Sequence, residues 1–357
     1  MRSPFTIATI LFASLLPLAS AATAEAQQGS FTVGTAVAAP GRKATGFIEV
    51  PAGVDAATQI PVVVVHGATS GPVLALVSGL HGTEYASILA LERLITSLDP
   101  AEISGTVIIL PLVNLPSFEQ KVPHVNPVDN KSMNRFYPGK PDGTQTERAS
   151  WLITKQVVEK CDYLIDLHGG DLDENLRPYS YWIRMGDAKL DAATRDMVLA
   201  FGLNHIIIED DFPKDPNASR YLMSTALTRG KPAIAAEAGY AGTTEPQEIT
   251  MLQRGCLNVM RMLHMLRGSA EPIENPVWIE KVETVSSQQP GIFYPLVHRG
   301  VYVAAGMKIG YVTDYFGQTI YEARAPSAGV VLYICAVPSM KKGDTIANIG
   351  VVAAKAP

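Results

Sequence analysis

Residues 73–84 read VLALVSGLHGTE, and this stretch predicts the architecture of the chain. Residues 73–78 are almost all aliphatic, which is typical of a strand buried on both faces of a sheet. A polar turn with a histidine and a glutamate follows, and residues 85–97 then have the pattern of a helix. Strand, turn and helix together form the unit from which a sheet flanked by helices is built.

The same alternation continues from residue 62 to about residue 266. Strands are predicted at residues 62–65, 73–78, 107–112, 163–167, 206–209 and 233–237. Helices are predicted at residues 85–97, 149–160, 192–201, 219–228 and 247–266. We therefore expect an α/β domain over residues 27–268, with a sheet covered on both faces.

The pattern changes after Gly268. A proline-containing link spans residues 271–276, and short apolar runs separated by glycines follow. This spacing predicts a small all-β domain over residues 269–357. Two domains also suit a length of 357 residues.

Composition excludes several classes of protein. A hydrophobic fraction of 47% with 18% charged residues is typical of a globular protein, not of a disordered chain. The net charge of −5 provides no positive field for nucleic acid or an anionic membrane surface. We expect a small-molecule or peptide-like substrate, and the sequence leaves a homo-oligomer open.

The three cysteines, Cys161, Cys256 and Cys335, predict buried thiols, although one disulfide remains an alternative.

Residues 1–26 have the features of a secretory signal. Arg2 precedes an apolar run over residues 5–18, and small residues with an Ala-x-Ala pattern follow. The run is shorter than the roughly 20 residues that a membrane-spanning helix needs. We expect a protein that is exported to the periplasm or secreted, without stable membrane insertion after signal removal.

Two strand ends carry candidate metal ligands. His81 and Glu84 follow the strand at residues 73–78, and His168 ends the run LIDLHGG at residues 164–170. Ligands of open α/β sheets bind outside the carboxyl ends of the strands, and a catalytic zinc takes three protein ligands and keeps one open position. A His-x-x-Glu pair alone is more often a surface ion pair, but the second histidine favours one zinc ion. Asp166 either supports His168 or is an ordinary buried carboxylate.

A lone glutamate ends the apolar strand at residues 233–237. Beside a metal site, Glu237 would act as general base on the attacking water and then as acid toward the leaving nitrogen. A salt-bridged or capping carboxylate is the alternative.

Residues 132–139 read SMNRFYPG and place an amide beside a guanidinium. Asn134 and Arg135 suit a substrate carboxylate, and Arg135 also suits negative charge that develops on a carbonyl oxygen. A surface arginine is the alternative for Arg135. Arg220 and Tyr221 are weaker candidates for the pocket wall.

In this order, the motifs GLHGTE at 79–84, MNRFYPG at 133–139, DLHGG at 166–170 and EAG at 237–239 resemble the succinylglutamate desuccinylase and aspartoacylase family, a branch of the zinc carboxypeptidase superfamily. The resemblance covers most of the chain and extends to the C-terminal segments at 325–332 and 342–344.

The resemblance implies a doubly wound mixed sheet of the zinc-hydrolase (carboxypeptidase-like) type. It also implies zinc at His81, Glu84 and His168, and substrate binding by Asn134 and Arg135. Glu237 would be the catalytic carboxylate. Relatives commonly have an arginine upstream of the Asn-Arg pair, where this chain has His124; loss of that guanidinium would weaken carbonyl polarisation or change substrate choice.

Our hypothesis is a zinc-dependent deacylase acting on an N-acyl amino acid or a related carboxylate-bearing substrate. The alternatives are an envelope metallocarboxypeptidase that acts on peptides and a relative that binds ligands without catalysis.

Overall fold

The computed structural model describes Met1 and residues 29–357, so that all of the expected signal segment except Met1 lies outside the described residues. The strands are β1 (Phe31–Val33), β2 (Ala36–Ala38), β3 (Arg42–Val50), β4 (Thr58–His66), β5 (Thr69–Ser78), β6 (Ser104–Leu110), β7 (Tyr163–His168), β8 (Glu174–Leu176), β9 (Tyr179–Ile183), β10 (His205–Glu209), β11 (Ala233–Glu237), β12 (Val277–Ser286), β13 (Gly291–Pro295), β14 (Tyr302–Val303), β15 (Lys308–Thr313), β16 (Thr319–Arg324), β17 (Gly329–Cys335), β18 (Ser339–Met340) and β19 (Thr345–Val352). The α-helices are α1 (Tyr85–Ser97), α2 (Leu115–Gln120), α3 (Gln145–Ile153), α4 (Ala188–Phe201), α5 (Leu222–Leu227) and α6 (Pro246–Met262).

A large mixed sheet organises the described residues. Its strand order is β14-β17-β19-β12-β10-β9-β11-β7-β5-β6-β4-β3, and β8 pairs with β17. Strands β6, β5, β7 and β11 are successive parallel neighbours. The carboxyl ends of these four strands therefore lie at one edge of the sheet, where ligands bind in open α/β folds.

Helices cover both faces of this sheet. Along β5, Leu74 and Leu76 pack into a core with α1, α4 and α6, whereas Ala75 and Val77 pack into a second core with α3 and α5. Because successive side chains of a strand point to opposite faces, a uniformly apolar strand serves both cores. The expected doubly wound mixed sheet is confirmed.

The C-terminal region is all-β, as expected. Its buried residues form a third core, and β16-β15-β13-β18 form a separate four-stranded sheet. Strand β12 pairs with β10 through residues 277–279 and with β19 along most of its length. The large sheet therefore continues across the expected boundary at residue 268, and the division into domains at that residue stays a prediction.

The predicted strands and helices of the α/β region are present, with shifted ends. Strand β11 has the predicted bounds, while α3 begins earlier than predicted because Thr144 and Glu147 form a capping box at its start. Strand β9, which lies between β10 and β11, was missed. All three cysteines are buried free thiols.

Candidate active site

Three neighbouring strand ends form the site. His168 is the last residue of β7 and Glu237 the last residue of β11, and the two pair directly in register. On the other side of β7, Leu167 pairs with Ser78 at the end of β5. The chain then turns at Gly79, whose φ of +69° favours glycine, and delivers His81 and Glu84 to the same edge.

Glu84 stands at the start of helix α1 but does not cap it. Its carboxylate makes no capping hydrogen bond, whereas the Ser87 hydroxyl donates to its carbonyl oxygen at 2.9 Å. The side chain is buried, so a surface ion pair with His81 is excluded as its explanation. Its negative charge is favourable at the helix N-terminus.

The three predicted ligands converge. One ligand atom from each of His81, Glu84 and His168 lies within 4.8 Å of the others. The Nδ1 atom of His81 is 2.6 Å from Oε1 of Glu84, and Nδ1 of His168 is 3.0 Å from Oε2 of the same carboxylate. Both imidazoles thus present the same nitrogen to one point in space.

The opposite nitrogens contact other polar groups. Nε2 of His81 lies 3.2 Å from the Ser132 hydroxyl, and Nε2 of His168 lies 3.1 Å from Oδ1 of Asp166. Nε2 of His168 also lies 3.1 Å from Nδ2 of Asn134, which is a hydrogen-bond donor, whereas Oδ1 of Asp166 has no hydrogen-bond partner among the described residues. Asp166 is thus a buried carboxylate beside His168, and a role in supporting that ligand stays a prediction.

The electrostatics of the group suit a cation. Burial opposes ionisation of Glu84, but the neighbouring charges of His81 and His168 outweigh it and lower its pKa to about 2. Burial likewise opposes a charged His168, yet Asp166 and Glu84 raise its pKa well above the ordinary value. Two imidazoles and a carboxylate form a donor set of the kind that catalytic zinc takes. The residues fit a metal ion, and its binding stays a prediction.

Glu237 lies beside this group without a partner of its own. Among the described residues, none forms a hydrogen bond or ion pair with its carboxylate. Desolvation raises its pKa well above the ordinary value; His168 opposes the shift, and the charges of Glu84, Glu174 and Asp166 add to it. This is not the salt-bridged or capping carboxylate considered as the alternative.

The Asn-Arg pair divides into a buried and an exposed residue. Oδ1 of Asn134 accepts the Leu222 N–H at 2.9 Å, and Nδ2 lies 3.1 Å from Nε2 of His168. The amide is thus occupied by protein contacts, and its predicted role in substrate binding is untested. Arg135 is exposed, and its guanidinium lies over the Tyr221 ring at 4.8 Å. Arg220 lies 5.7 Å from the same ring.

His124 reaches the site as a cation. Its ring centroid is 6.4 Å from that of His81. Nε2 lies 2.8 Å from Asp173, and Nδ1 lies 3.2 Å from Asp171. Burial opposes the charged form, but these two carboxylates and Glu174 raise the pKa of His124 to about 9. A positive charge therefore stands at neutral pH where the family resemblance led us to expect an arginine.

Sequence reasoning missed the acids that hold His124. The buried carboxylate of Asp171 accepts the Thr83 hydroxyl and, at 2.8 Å, the backbone N–H of His124. It thereby joins the turn that carries His81 and Glu84 to the His124 loop. Three acids shortly after His168 were the available signal, since loops after strand ends carry functional residues.

Arg299, from the C-terminal region, was missed as well. Its guanidinium donates to the carbonyl of Gly239 at 3.1 Å and to that of Leu176 at 2.5 Å. It also lies 2.6 Å from the Glu248 carboxylate. The contact with Gly239 fixes the turn just after Glu237. No local pattern marks this residue, because all its partners are distant in sequence.

Comparison with known proteins identifies the family. The succinylglutamate desuccinylase/aspartoacylase catalytic domain matches residues 70–263. The N-alpha-acetyl-L-2,4-diaminobutyric acid deacetylase of Halomonas elongata is 31% identical over 318 residues, which cover 86% of this chain and 91% of that protein. This chain belongs to the succinylglutamate desuccinylase/aspartoacylase family.

Solved structures of the family share the fold. The product-bound ectoine utilization protein EutE (DoeB) of Ruegeria pomeroyi is 26% identical with a TM-score of 0.78, and the match covers 87% of this chain and 95% of that one. A succinylglutamate desuccinylase/aspartoacylase of Rhodobacter sphaeroides shows the same fold at 24% identity and a TM-score of 0.78, over 88% and 96% of the two chains.

Proposed function

We propose that this family member is a zinc-dependent hydrolase that cleaves the amide bond of an N-acyl amino acid. One observation carries the proposal: His81, Glu84 and His168 present ligand atoms within 4.8 Å of one another, beside the strand end that carries Glu237. The Halomonas relative is named as a deacetylase of an amino acid derivative, which supports the same reaction class.

The three ligands would hold one zinc ion. When bound, zinc supplies Lewis acidity, which lowers the pKa of a water molecule and polarises the substrate carbonyl. Asn134 and Ser132 orient the imidazoles of His168 and His81 through their opposite nitrogens.

Glu237 moves the proton. A carboxylate with a raised pKa is a stronger base than an ordinary one, and after taking a proton it can donate it to the leaving nitrogen. Its position beside His168, fixed by the strand pairing, places it within the site without a competing partner.

Two cations bind the negative parts of the substrate. The exposed Arg135 guanidinium binds the substrate carboxylate, because its planar fork matches two oxygens. The charged imidazole of His124 stabilises negative charge that develops on the carbonyl oxygen. In this arrangement His124 supplies the charge that the arginine of relatives would supply.

We also propose export, on the signal-like pattern of residues 1–26. Among the described residues, no helix is long and apolar enough to cross a membrane. Mass spectrometry of the N-terminus after expression in a bacterial host tests this: cleavage near residue 26 is expected, and an uncleaved chain in the cytoplasm contradicts it.

A metal-dependent screen tests the activity. Purified protein is analysed for zinc and assayed with N-acyl amino acids and short peptides, before and after chelation. Release of free amino acid from the acylated compounds, lost with the chelator and restored by zinc, is expected. Cleavage of peptides alone would instead indicate a metallocarboxypeptidase. Ligand binding with no hydrolysis would indicate a non-catalytic relative.

A further inference from the structure

A cavity lies apart from the catalytic cleft that holds the proposed metal ligands and Glu237. Its volume is about 560 Å³, a size typical of sites for small molecules. One face of helix α6 forms one wall, through residues 247, 250, 251, 254 and 258. The end of α4, the β8–β9 connection and the link at residues 271–276 form the others. We call this cavity the link pocket, and no residue of the proposed active site lines it.

Arg177 brings a positive charge to the link pocket. Its Nε donates to Nδ1 of His205 at 3.4 Å, and its Nη2 donates to Oδ1 of Asn204 at 3.1 Å. Burial, followed by the charge of Arg177, lowers the pKa of His205 to about 4, so this imidazole is neutral at neutral pH. Among the described residues, no carboxylate forms an ion pair with Arg177, and its Nη1 donates no hydrogen bond. One nitrogen and the whole charge therefore remain for a ligand.

The nearby helix end does not explain this arginine. Helix α4 ends at Phe201, which lines the pocket, and a cation is favourable beside a helix C-terminus. In that role the guanidinium would donate to the last carbonyl oxygens of the helix. The hydrogen bonds of Arg177 go instead to the side chains of Asn204 and His205, beyond the helix. The arginine is therefore not a cap of α4, and its charge is available to the pocket.

A buried amide offers a second donor. Asn258 is 4% exposed, and its Oδ1 accepts from Nη1 of Arg261 at 2.9 Å. Its Nδ2 faces Gly202, which also lines the pocket, and it donates no hydrogen bond within residues 29–357. A buried donor without an acceptor costs free energy, so an acceptor supplied by a ligand is favourable at this point.

An apolar surface and an exposed ion pair complete the pocket. Phe201 and Leu203 are buried, and Met251 is half-buried. Arg254 of α6 pairs with Glu271 of the link, and both side chains are exposed. Because exposed ion pairs contribute little, an anion can compete with Glu271 for this arginine. With two arginines and one glutamate, the lining is positively charged in a chain whose net charge is −5.

We propose that the link pocket binds a small amphipathic anion, a carboxylate carried by an apolar group. Arg177 and Asn258 donate to the carboxylate oxygens, and the apolar group packs on the apolar surface of the pocket. The ligand holds the link against α4, where the Ile273 N–H donates to the carbonyl of Leu199 at 3.1 Å. Because it binds only the folded chain, it stabilises the fold. This site is independent of the proposed hydrolase activity.

Calorimetry with 4-phenylbutyrate tests the site, and 4-phenylbutyramide is the uncharged control of nearly the same shape. The wild type should bind the carboxylate about 10- to 100-fold more tightly than the amide, as expected for hydrogen bonds to a charged group. In Arg177→Gln this preference should be lost. A wild type that does not bind the carboxylate, or a preference that persists in Arg177→Gln, overturns the proposal.

Further variants locate the bound anion. Glu271→Gln removes the acid that competes for Arg254 and should tighten binding, whereas Met251→Trp fills the pocket and should weaken it. Arg135→Gln, in the catalytic cleft, is the control and should bind 4-phenylbutyrate as the wild type does. Binding that is lost in Arg135→Gln and kept in Met251→Trp would place the anion in the catalytic cleft and overturn the proposal. Thermal melting without ligand verifies that each variant is folded.

Discussion

The two walls of the cleft differ in how they are built. We call the first the ligand edge: His81, Glu84, His168 and Glu237, all at the ends of neighbouring strands β5, β7 and β11. We call the second the acidic wall: Asp171, Asp173 and Glu174, on the loop between β7 and β8. Strand β17 and Arg299, both from the C-terminal region, hold β8 in place.

The two walls depend on local sequence to different degrees. The ligand edge follows from parallel strand pairing, which fixes neighbouring ends to the same side of the sheet. The acidic wall depends on contacts between segments far apart in the chain, such as Arg299 with Leu176 of β8. We therefore expect changes at the ligand edge to abolish hydrolysis. Changes at the acidic wall should instead alter the position of charged side chains and so lower the rate.

The largest expected effect is at the ligand edge. His81→Ala removes one of three zinc ligands, so bound zinc and hydrolysis should both be lost. Elemental analysis of the purified variant measures the zinc directly. His264→Ala is the matched control, because that histidine is exposed beyond the end of α6. A full equivalent of zinc in His81→Ala would contradict the ligand assignment.

Glu237→Gln should retain zinc but lose turnover. Removal of a general base lowers rates by about 10²- to 10⁴-fold, and the amide keeps the size of the side chain. Single-turnover kinetics with an N-acyl amino acid measure the loss, alongside zinc analysis. Near-normal rates would reassign the base.

Substitutions of His124 test the positive charge that the acidic wall maintains on this imidazole. His124→Gln should lower kcat/KM by about 10²-fold, the usual cost of one group that stabilises an oxyanion, while His124→Arg should retain more activity. The raised pKa of His124, about 9, keeps the imidazole charged at neutral pH. Wild-type activity should therefore fall as pH rises through about 9 or somewhat below, since a bound dication lowers that pKa.

The same residue links pH to stability. Its folded pKa of about 9 exceeds the ordinary value of 6.5, so its contribution is complete below pH 6.5 and is lost as pH rises through 9. Denaturant unfolding of wild type and His124→Gln across this pH range measures the contribution of His124 to the free energy of unfolding.

The activity profile has its own control. An alkaline decline in activity that persists unchanged in His124→Arg would show that another group titrates.

Arg299→Ala should have the smallest effect on chemistry. It removes hydrogen bonds to Gly239 and Leu176 and the ion pair with Glu248, at a cost of about 1–3 kcal/mol in the free energy of unfolding. A slight shift of Glu237 should lower kcat about tenfold, since catalysis is sensitive to small displacements. Arg299→Lys, which keeps a charge for Glu248, should recover part of the stability. Unchanged kcat in Arg299→Ala would show that the contact of Arg299 with Gly239 does not position the base.

The sequence predicted the ligand edge well because each residue there follows an apolar strand. Strand β11 and the convergence of His81, Glu84 and His168 could be predicted from strand ends alone. Strand β9 was missed, although it separates β10 from β11 in the sheet. Its sequence, YSYWI, mixes polar and aromatic residues and lacks the uniform aliphatic pattern of its neighbours.

The charge of His124 was beyond sequence reasoning for a different reason. A histidine pKa depends on which carboxylates approach the ring, and those of Asp171 and Asp173 do so only after the loops fold together. The family resemblance predicted the loss of a guanidinium at His124, whereas the folded protein retains a positive group at that residue.

Strand β12 has a consequence for how such a protein can be divided. Its first residues pair with β10, and most of the strand pairs with β19. Backbone hydrogen bonds of this strand therefore join the α/β region to the C-terminal region. A chain that ends at residue 268 would leave backbone N–H and C=O groups of β10 unpaired, and these could pair with another molecule. It would also lack the strand that supports Glu174. The two regions should therefore be kept together during evolution. Recombination between relatives should be tolerated better in surface loops than near residue 268.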